Sequence, residues 1–154
     1  MGIGPSTKET TLHHFRDPLL DVVGSDRDVD LLGIMLVGTP DGNEEKYLVG
    51  QRAAVWAEGM RADGVILSSD GWGNSHVDYA NTIEELGKRG IPVVGITFNG
   101  TAGKFVVTNR YMDTIVDINK NPAGIESEIV GENTASTLDA KKALALLKLK
   151  LRRT

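Results

Sequence analysis

VILSSDGWGNSH, residues 65–76, decides how the rest of this chain is read. Val65, Ile66 and Leu67 have the composition of a buried strand, and a helical pattern begins at Val77. Between the two lie Ser68, Ser69, Asp70, Gly71, Trp72, Gly73, Asn74, Ser75 and His76. Open α/β sheets bind ligands at such strand-to-helix turns, beside the carboxyl ends of the strands. Gly71 and Gly73 permit left-handed backbone or the close approach of another group. Ser75 with Asp78 fits a capping box, which aims the free N–H groups of a helix start into the same space. The plainer alternative is a tight turn whose Trp72 only packs on a neighbour. A tryptophan between glycines contributes little to a turn, which favours a contact role.

Working outward, Leu31–Val37 (LLGIMLV) is a continuous apolar run, the pattern of a strand buried on both faces. Asp41 with Glu44 is expected to cap a helix whose apolar face runs Val49, Ala53, Trp56 and Met60. Residues 64–67 form a further strand, and Ser75–Lys88 a helix burying Tyr79, Ile83 and Leu86. Ile91–Phe98 and Met112–Ile118 are the remaining strand candidates. A last helix starts at Ser136 with a capping box to Asp139, and places Ala140, Leu144, Leu147 and Leu151 on one face. Near the amino end, Asp17-Pro18 reads as an N-cap with proline at the first helical position, and Gly24 closes a short helix.

Alternating strands and helices predict a parallel sheet with right-handed crossovers. The expected fold is α/β, a three-layer sandwich with a mainly parallel sheet of four or five strands, Rossmann-like or flavodoxin-like. Strand order stays open. Residues 1–16 read as an N-terminal arm and 17–154 as a single α/β domain, with Lys120–Glu126 a surface loop around Pro122 and Gly124.

The chain has 154 residues, enough for a core without disulfides or metals. A net charge of −4 argues against a nucleic-acid partner. The absence of cysteine excludes disulfides, thiol catalysis and thiolate metal sites. There is no apolar run of transmembrane length and no secretory signal, so a cytoplasmic location without membrane contact is expected.

Three polar loops follow the first three expected strands: Gly38–Asn43, Asp70–His76 and Asn99–Gly103. In a parallel sheet they leave on one side, so Thr39, Asp41, Asn43, Asp70, Trp72, Asn74, His76, Asn99 and Thr101 are expected to form one ligand-binding or contact rim. Such loops are polar in any α/β protein, so polarity alone says little. The dinucleotide fingerprint is missing: Gly38-Thr39-Pro40-Asp41-Gly42 sets a proline and an acid against the would-be phosphates, and Gly71-Trp72-Gly73 is followed by His76 rather than a third glycine. His13 and His14, adjacent in an extended arm, point to opposite sides and make a poor chelating pair. His76, in a first helical turn, is expected to have a lowered pKa, because the helix dipole opposes its protonation. A neutral His76 near Asp70 suits acid–base work, carboxylate binding or a mere cap of its own loop. The basic tail with Lys142, Lys148, Lys150, Arg152 and Arg153 suits a helix C-terminus and nothing more.

The blocks GTPDGNEEKYLVGQRAA, DGWGNSHVDYANTIEELGKRGIPVVG and KFVVTNRYMDTIVDINK resemble the pyruvoyl-bearing proproteins of the clostridial amino-acid reductases. That family includes component B of glycine, sarcosine and betaine reductase and the D-proline reductase proprotein. The resemblance runs from about Gly2 to Leu151. It implies self-cleavage at a cysteine that becomes a pyruvoyl group, capture of the substrate amine as a Schiff base, and attack by a partner subunit's selenocysteine or cysteine. This chain departs at the decisive point, having no cysteine, with Met1 close ahead of the GPSTKETTLHHFRDP block. It therefore resembles the stand-alone, cysteine-free homologue that accompanies proline reductase, or a related short homologue.

The resemblance therefore implies an accessory, non-catalytic member of a D-proline or glycine reductase system in anaerobic amino-acid fermentation, the Stickland reaction. Expected partners are pyruvoyl proprotein chains and the selenoprotein subunit. Neither catalytic residues, a metal nor a carbonyl cofactor are expected. Leu12 and Phe15, apolar residues in an arm without its own core, point to a homo-oligomer. Two alternatives stay open: a small amino-acid-binding protein, and an enzyme using Asp70 and His76.

Overall fold

The computed structural model describes residues 17–69, 75–98, 105, 107–119 and 135–152. The arm, with His13 and His14, and the loop Lys120–Glu126 lie outside the described residues. In chain order the elements are α1 (Pro18–Gly24), α2 (Asn43–Gly59), β1 (Val65–Ser68), α3 (Ser75–Lys88), β2 (Val93–Thr97), β3 (Ile115–Asp117) and α4 (Thr137–Leu151). The result is a mixed α/β protein on a small parallel sheet.

Local chemistry sets the helix ends. Asp17 caps α1 by accepting the Leu19 N–H at 3.0 Å, with Pro18 supplying a fixed φ in the first turn. The box expected for α4 is formed: the Ser136 N–H donates to Asp139 at 2.9 Å, and the Asp139 N–H returns to the Ser136 hydroxyl at 3.3 Å. The expected Asp41 cap is not. α2 starts at Gly42 without a side-chain cap, and acidic Glu44 and Glu45 in the first turn answer the helix dipole instead.

β1 pairs in parallel with β2, and β2 with β3, so the order follows the sequence. Three strands among the described residues replace the four or five expected. The missing strand is Leu31–Val37. Its backbone forms no strand, and its large side chains are open to solvent, from Met35 at 40% exposed to Leu36 at 67%. An apolar run records a tendency to be buried but does not supply the neighbouring strand that a ladder requires, and among the described residues the sheet ends at β1.

Two hydrophobic clusters lie on opposite faces of β2, as the period of two demands. Val94 and Ile96 pack with Ala143 and Leu147 of α4. Val93 joins Tyr79, Ile83 and Leu86 of α3 with Ala54 and Ala57 of α2. The α3 face is therefore as expected. The α2 face is a correction: its buried residues are Lys46, Gly50, Ala53, Ala54 and Ala57, while Trp56 is 67% and Met60 45% exposed. Small residues face α3 because the helices touch closely. A Cβ on Gly50 would overlap the Asn81 side chain.

The tail lysines also do more than suit a helix end. Lys148 reaches Asp26 at 2.6 Å and Asp28 at 2.9 Å, tying α4 to the segment after α1. Lys150 donates to the Val93 carbonyl at 2.9 Å and pairs with Asp113. No helix of the described residues is long and apolar enough to cross a membrane.

Candidate functional site

β1 and β2 run parallel and end at Ser68 and Thr97, so their carboxyl ends share one edge of the sheet. The first turn of α3 starts close behind β1 and carries His76, Asp78 and Tyr79. His76 is fully buried, with its ring 5.1 Å from that of Phe105. Tyr79 stacks on the same Phe105, the planes only 4° apart at 6.2 Å. Phe105 thus covers a histidine and a tyrosine that belong to one helical turn.

Burial lowers the His76 pKa. The direction expected from the sequence holds, but desolvation is the cause, since removing water penalises the charged imidazolium. Burial likewise pushes the Tyr79 phenol far above its ordinary value. Its hydroxyl is buried without a hydrogen bond. A Cβ on Gly95 would overlap that oxygen, so β2 carries glycine where the phenol crosses it.

A further residue escaped the sequence reading. Lys46 of α2 is 1% exposed, and its ammonium meets Asp78 Oδ2 at 2.6 Å. The same Nζ donates to the carbonyl of Pro40. Asp78, expected to turn back onto Ser75, instead gives one oxygen to Lys46, while its Oδ1 is buried with no hydrogen bond. Lys46 thereby fastens the polar loop of residues 38–43 to the start of α3. One signal could have found it: Lys46 lies four residues before Gly50 and seven before Ala53, on the small-residue stripe of α2.

Of the expected rim, Thr39, Asp41 and Asn43 are exposed and His76 is buried. Asp70, Trp72, Asn74, Asn99 and Thr101 lie outside the described residues. The geometric premise needs correction in one respect, because the 38–43 loop does not follow a strand. It reaches the start of α3 through Lys46 rather than by leaving the sheet edge. Among the described residues no group of three or more histidines and carboxylates can hold a metal ion. A shallow hollow lined by Glu58, Arg61, Asp63, Arg89 and Pro92 lies at the amino ends of the strands, away from this edge.

A parallel α/β unit with a buried acid, base and aromatic cluster at its strand ends is common to many binding proteins and enzymes. The sequence narrows it. Residues 2–126 match the family of glycine/sarcosine/betaine reductase component B subunits, and the chain belongs to that family. It is 44% identical over 146 residues to the D-proline reductase proprotein PrdA of Acetoanaerobium sticklandii, a match covering 95% of this chain and 23% of that protein. It is 28% identical over 109 residues to the sarcosine reductase complex component B subunit alpha of Peptoclostridium acidaminophilum, covering 66% of this chain and 25% of the relative. The chain thus spans about a quarter of the length of these curated relatives. No solved structure matches it.

Proposed function

We propose that this chain is an accessory, non-catalytic homologue of the pyruvoyl-bearing subunit of an amino-acid reductase, with D-proline favoured over glycine as the reduced amino acid. One observation carries the reading. The chain is 44% identical to a D-proline reductase proprotein, yet its 154 residues include no cysteine from which the electrophile of that family would arise. On this reading the three-strand sheet with helices on both faces keeps a Rossmann-like or flavodoxin-like arrangement. The chain works by docking on reductase subunits in the cytoplasm of a fermenting anaerobe.

Two measurements test this. Isolation of the tagged chain from its native cell is expected to bring down reductase subunits, and recovery of the chain alone counts against the proposal. Intact-mass analysis of that material is expected to show no fragment pair and no adduct with a carbonyl probe. A carbonyl adduct on this chain would overturn the non-catalytic role.

A second reading, a small amino-acid-binding protein, is favoured by Asp78 Oδ1 and the Tyr79 hydroxyl, two buried oxygens without hydrogen bonds in the first turn of α3. A carboxylate would receive the ligand's amine, helix N–H groups its carboxylate, and Trp72 would cover it. Calorimetry with D-proline and glycine tests it. On this reading Trp72→Ala weakens binding and leaves the melting temperature nearly unchanged.

A further inference from the structure

The run Leu31–Val37 keeps the alternation of a strand without forming one. Leu32 is 54%, Ile34 59% and Leu36 67% exposed, against 43% for Leu31, 40% for Met35 and a half-buried Val37. Both ends of the run are held. A Leu31 methyl lies 3.8 Å from where a Cβ on Gly24 would stand, and the Met60 methyl lies as far from that of Gly33. Beyond the other end, the Pro40 carbonyl accepts from Lys46, which also binds Asp78. Met60 follows α2 just ahead of β1, and Asp78 lies in the first turn of α3, after β1. The run therefore passes from the amino to the carboxyl edge of the sheet, the direction of all three strands.

β1 offers the matching edge. The Val65 N–H donates to the Pro92 carbonyl at 2.9 Å and the Ser69 N–H to the Ile96 carbonyl at 3.0 Å, both toward β2. Backbone groups alternate in direction along a strand, so those of Ile66 and Ser68 point away from β2. There they make no backbone hydrogen bond among the described residues. The side chains of Val65, Ile66 and Leu67 are only half-buried, whereas Val93–Thr97 of β2 is buried throughout. We propose that residues 31–37 are a strap that closes on this edge as a fourth parallel strand, the described conformation being its open state. Handedness chooses the edge. α2 and α3 share one face of the sheet, so a strand outside β1, joined to it through α2, turns in the same hand as β1–α3–β2. One outside β3 would turn in the opposite hand. The connections, residues 38–42 and 60–64, have the ordinary length of such loops, about 2–6 residues.

The register follows from the faces. Gly33 lies against Met60, so Gly33, Met35 and Val37 take the α2 side of the sheet, that of Val65 and Leu67. In parallel strands, residues on one face point their backbone groups the same way. Val65 donates toward β2, and Gly95 on the same face donates onward to the Thr114 carbonyl beside β3 at 3.0 Å. Met35 and Val37 therefore donate to the Ile66 and Ser68 carbonyls, and Ile66 and Ser68 donate to the Gly33 and Met35 carbonyls. Leu32, Ile34 and Leu36 come level with Ile66, at the margin of the cluster that Leu146 and Leu151 border. Closing removes apolar surface from water and pairs an open strand edge in one step. The contact lies within one chain and needs no reductase subunit, so it stands or falls apart from the function proposed above.

Amide hydrogen exchange of the full chain, read residue by residue by NMR, tests the strap. The amides of Met35, Val37, Ile66 and Ser68 are expected to exchange roughly 100-fold or more slower than in an unfolded chain. Those of Ile34 and Leu36, which face the outer side of the new strand, are expected to exchange near the free rate. The pattern should not change on dilution. Met35→Pro removes one of the donors and blocks the ladder. It is expected to free Ile66 and Ser68 while Val94 and Ile96, bonded within the sheet, stay slow. Free exchange at Met35, Val37, Ile66 and Ser68 in the unaltered chain overturns the proposal without any variant. Slow exchange at Ile34 and Leu36 in place of Met35 and Val37 overturns it too. So does slow exchange at Ile66 and Ser68 that survives in a folded Met35→Pro chain. Protection that vanishes on dilution assigns the edge to a second copy and overturns it as well.

Discussion

The Lys46 ammonium and the Asp78 carboxylate meet at 2.6 Å with side chains 1% and 7% exposed, joining α2 to the first turn of α3. Removing water from both charges is costly, and the pair is worth keeping only while it stays intact. Lys46→Met strands a buried carboxylate and is expected to cost about 3–5 kcal/mol in urea unfolding at neutral pH. Lys46→Met with Asp78→Leu is expected to recover most of that loss. A single variant as stable as the parent would show that the pair contributes nothing.

Gly95 tests how tightly the site rests on the sheet. Gly95→Ala drives a methyl into the Tyr79 hydroxyl and is expected to destabilise by about 1–3 kcal/mol, as overpacking does. In a Tyr79→Phe background the penalty should shrink, because the obstructing oxygen is gone. Thermal melts of the four proteins close the cycle. Additive losses would mean that the two side chains do not meet.

The buried His76 makes stability depend on pH in a defined direction. Its folded pKa lies below the ordinary 6.5, so the unfolded chain takes up the proton first as pH falls. Stability is therefore full above about pH 6.5 and declines from there down to the folded pKa. His76→Phe is expected to flatten that decline. An identical slope in the variant would assign the effect to another group.

A second, more acidic decline comes from paired carboxylates. The hydrogen bond from Lys88 to Glu85 holds the Glu85 carboxyl below its ordinary 4.5 against the opposing effect of burial, and Arg89 adds to it. The hydrogen bond from Lys148 does the same for Asp26 below 3.8. Both groups have depressed folded values, so their contribution is present above the unfolded pKa and lost as pH falls through the folded one. Unfolding midpoints are expected to drop below about pH 4.5, and added salt should blunt the part due to the half-buried Asp26–Lys148 pair, whose further partner Asp28 is open to solvent. Lys148→Ala should remove that salt-sensitive part.

Elements whose pattern is local were legible in the sequence. Ser136 and Asp139 announce α4 because a capping box is complete within four residues, and Tyr79, Ile83 and Leu86 announce the inner face of α3 by spacing alone. Leu31–Val37 misled because a strand is a relation between two segments, and composition describes only one. Trp56 and Met60 misled for a related reason. Composition places large apolar residues inside, whereas helix contact at close range selects Gly50, Ala53 and Ala57. Lys46 was invisible as a site residue, since its partner stands thirty-two positions away. His76 was found through its place after the strand, although burial rather than the helix dipole governs its protonation.

The first and last helices of the described fold lie side by side. Leu19 of α1 packs on the cluster that includes Leu147 of α4, and Lys148 closes on Asp26. A unit whose entrance and exit are neighbours can be spliced into a longer polypeptide without pulling its elements apart. Joining residues 17 and 152 by a flexible linker long enough to span the first helix, and opening the chain elsewhere, should therefore leave the sheet and both of its clusters intact.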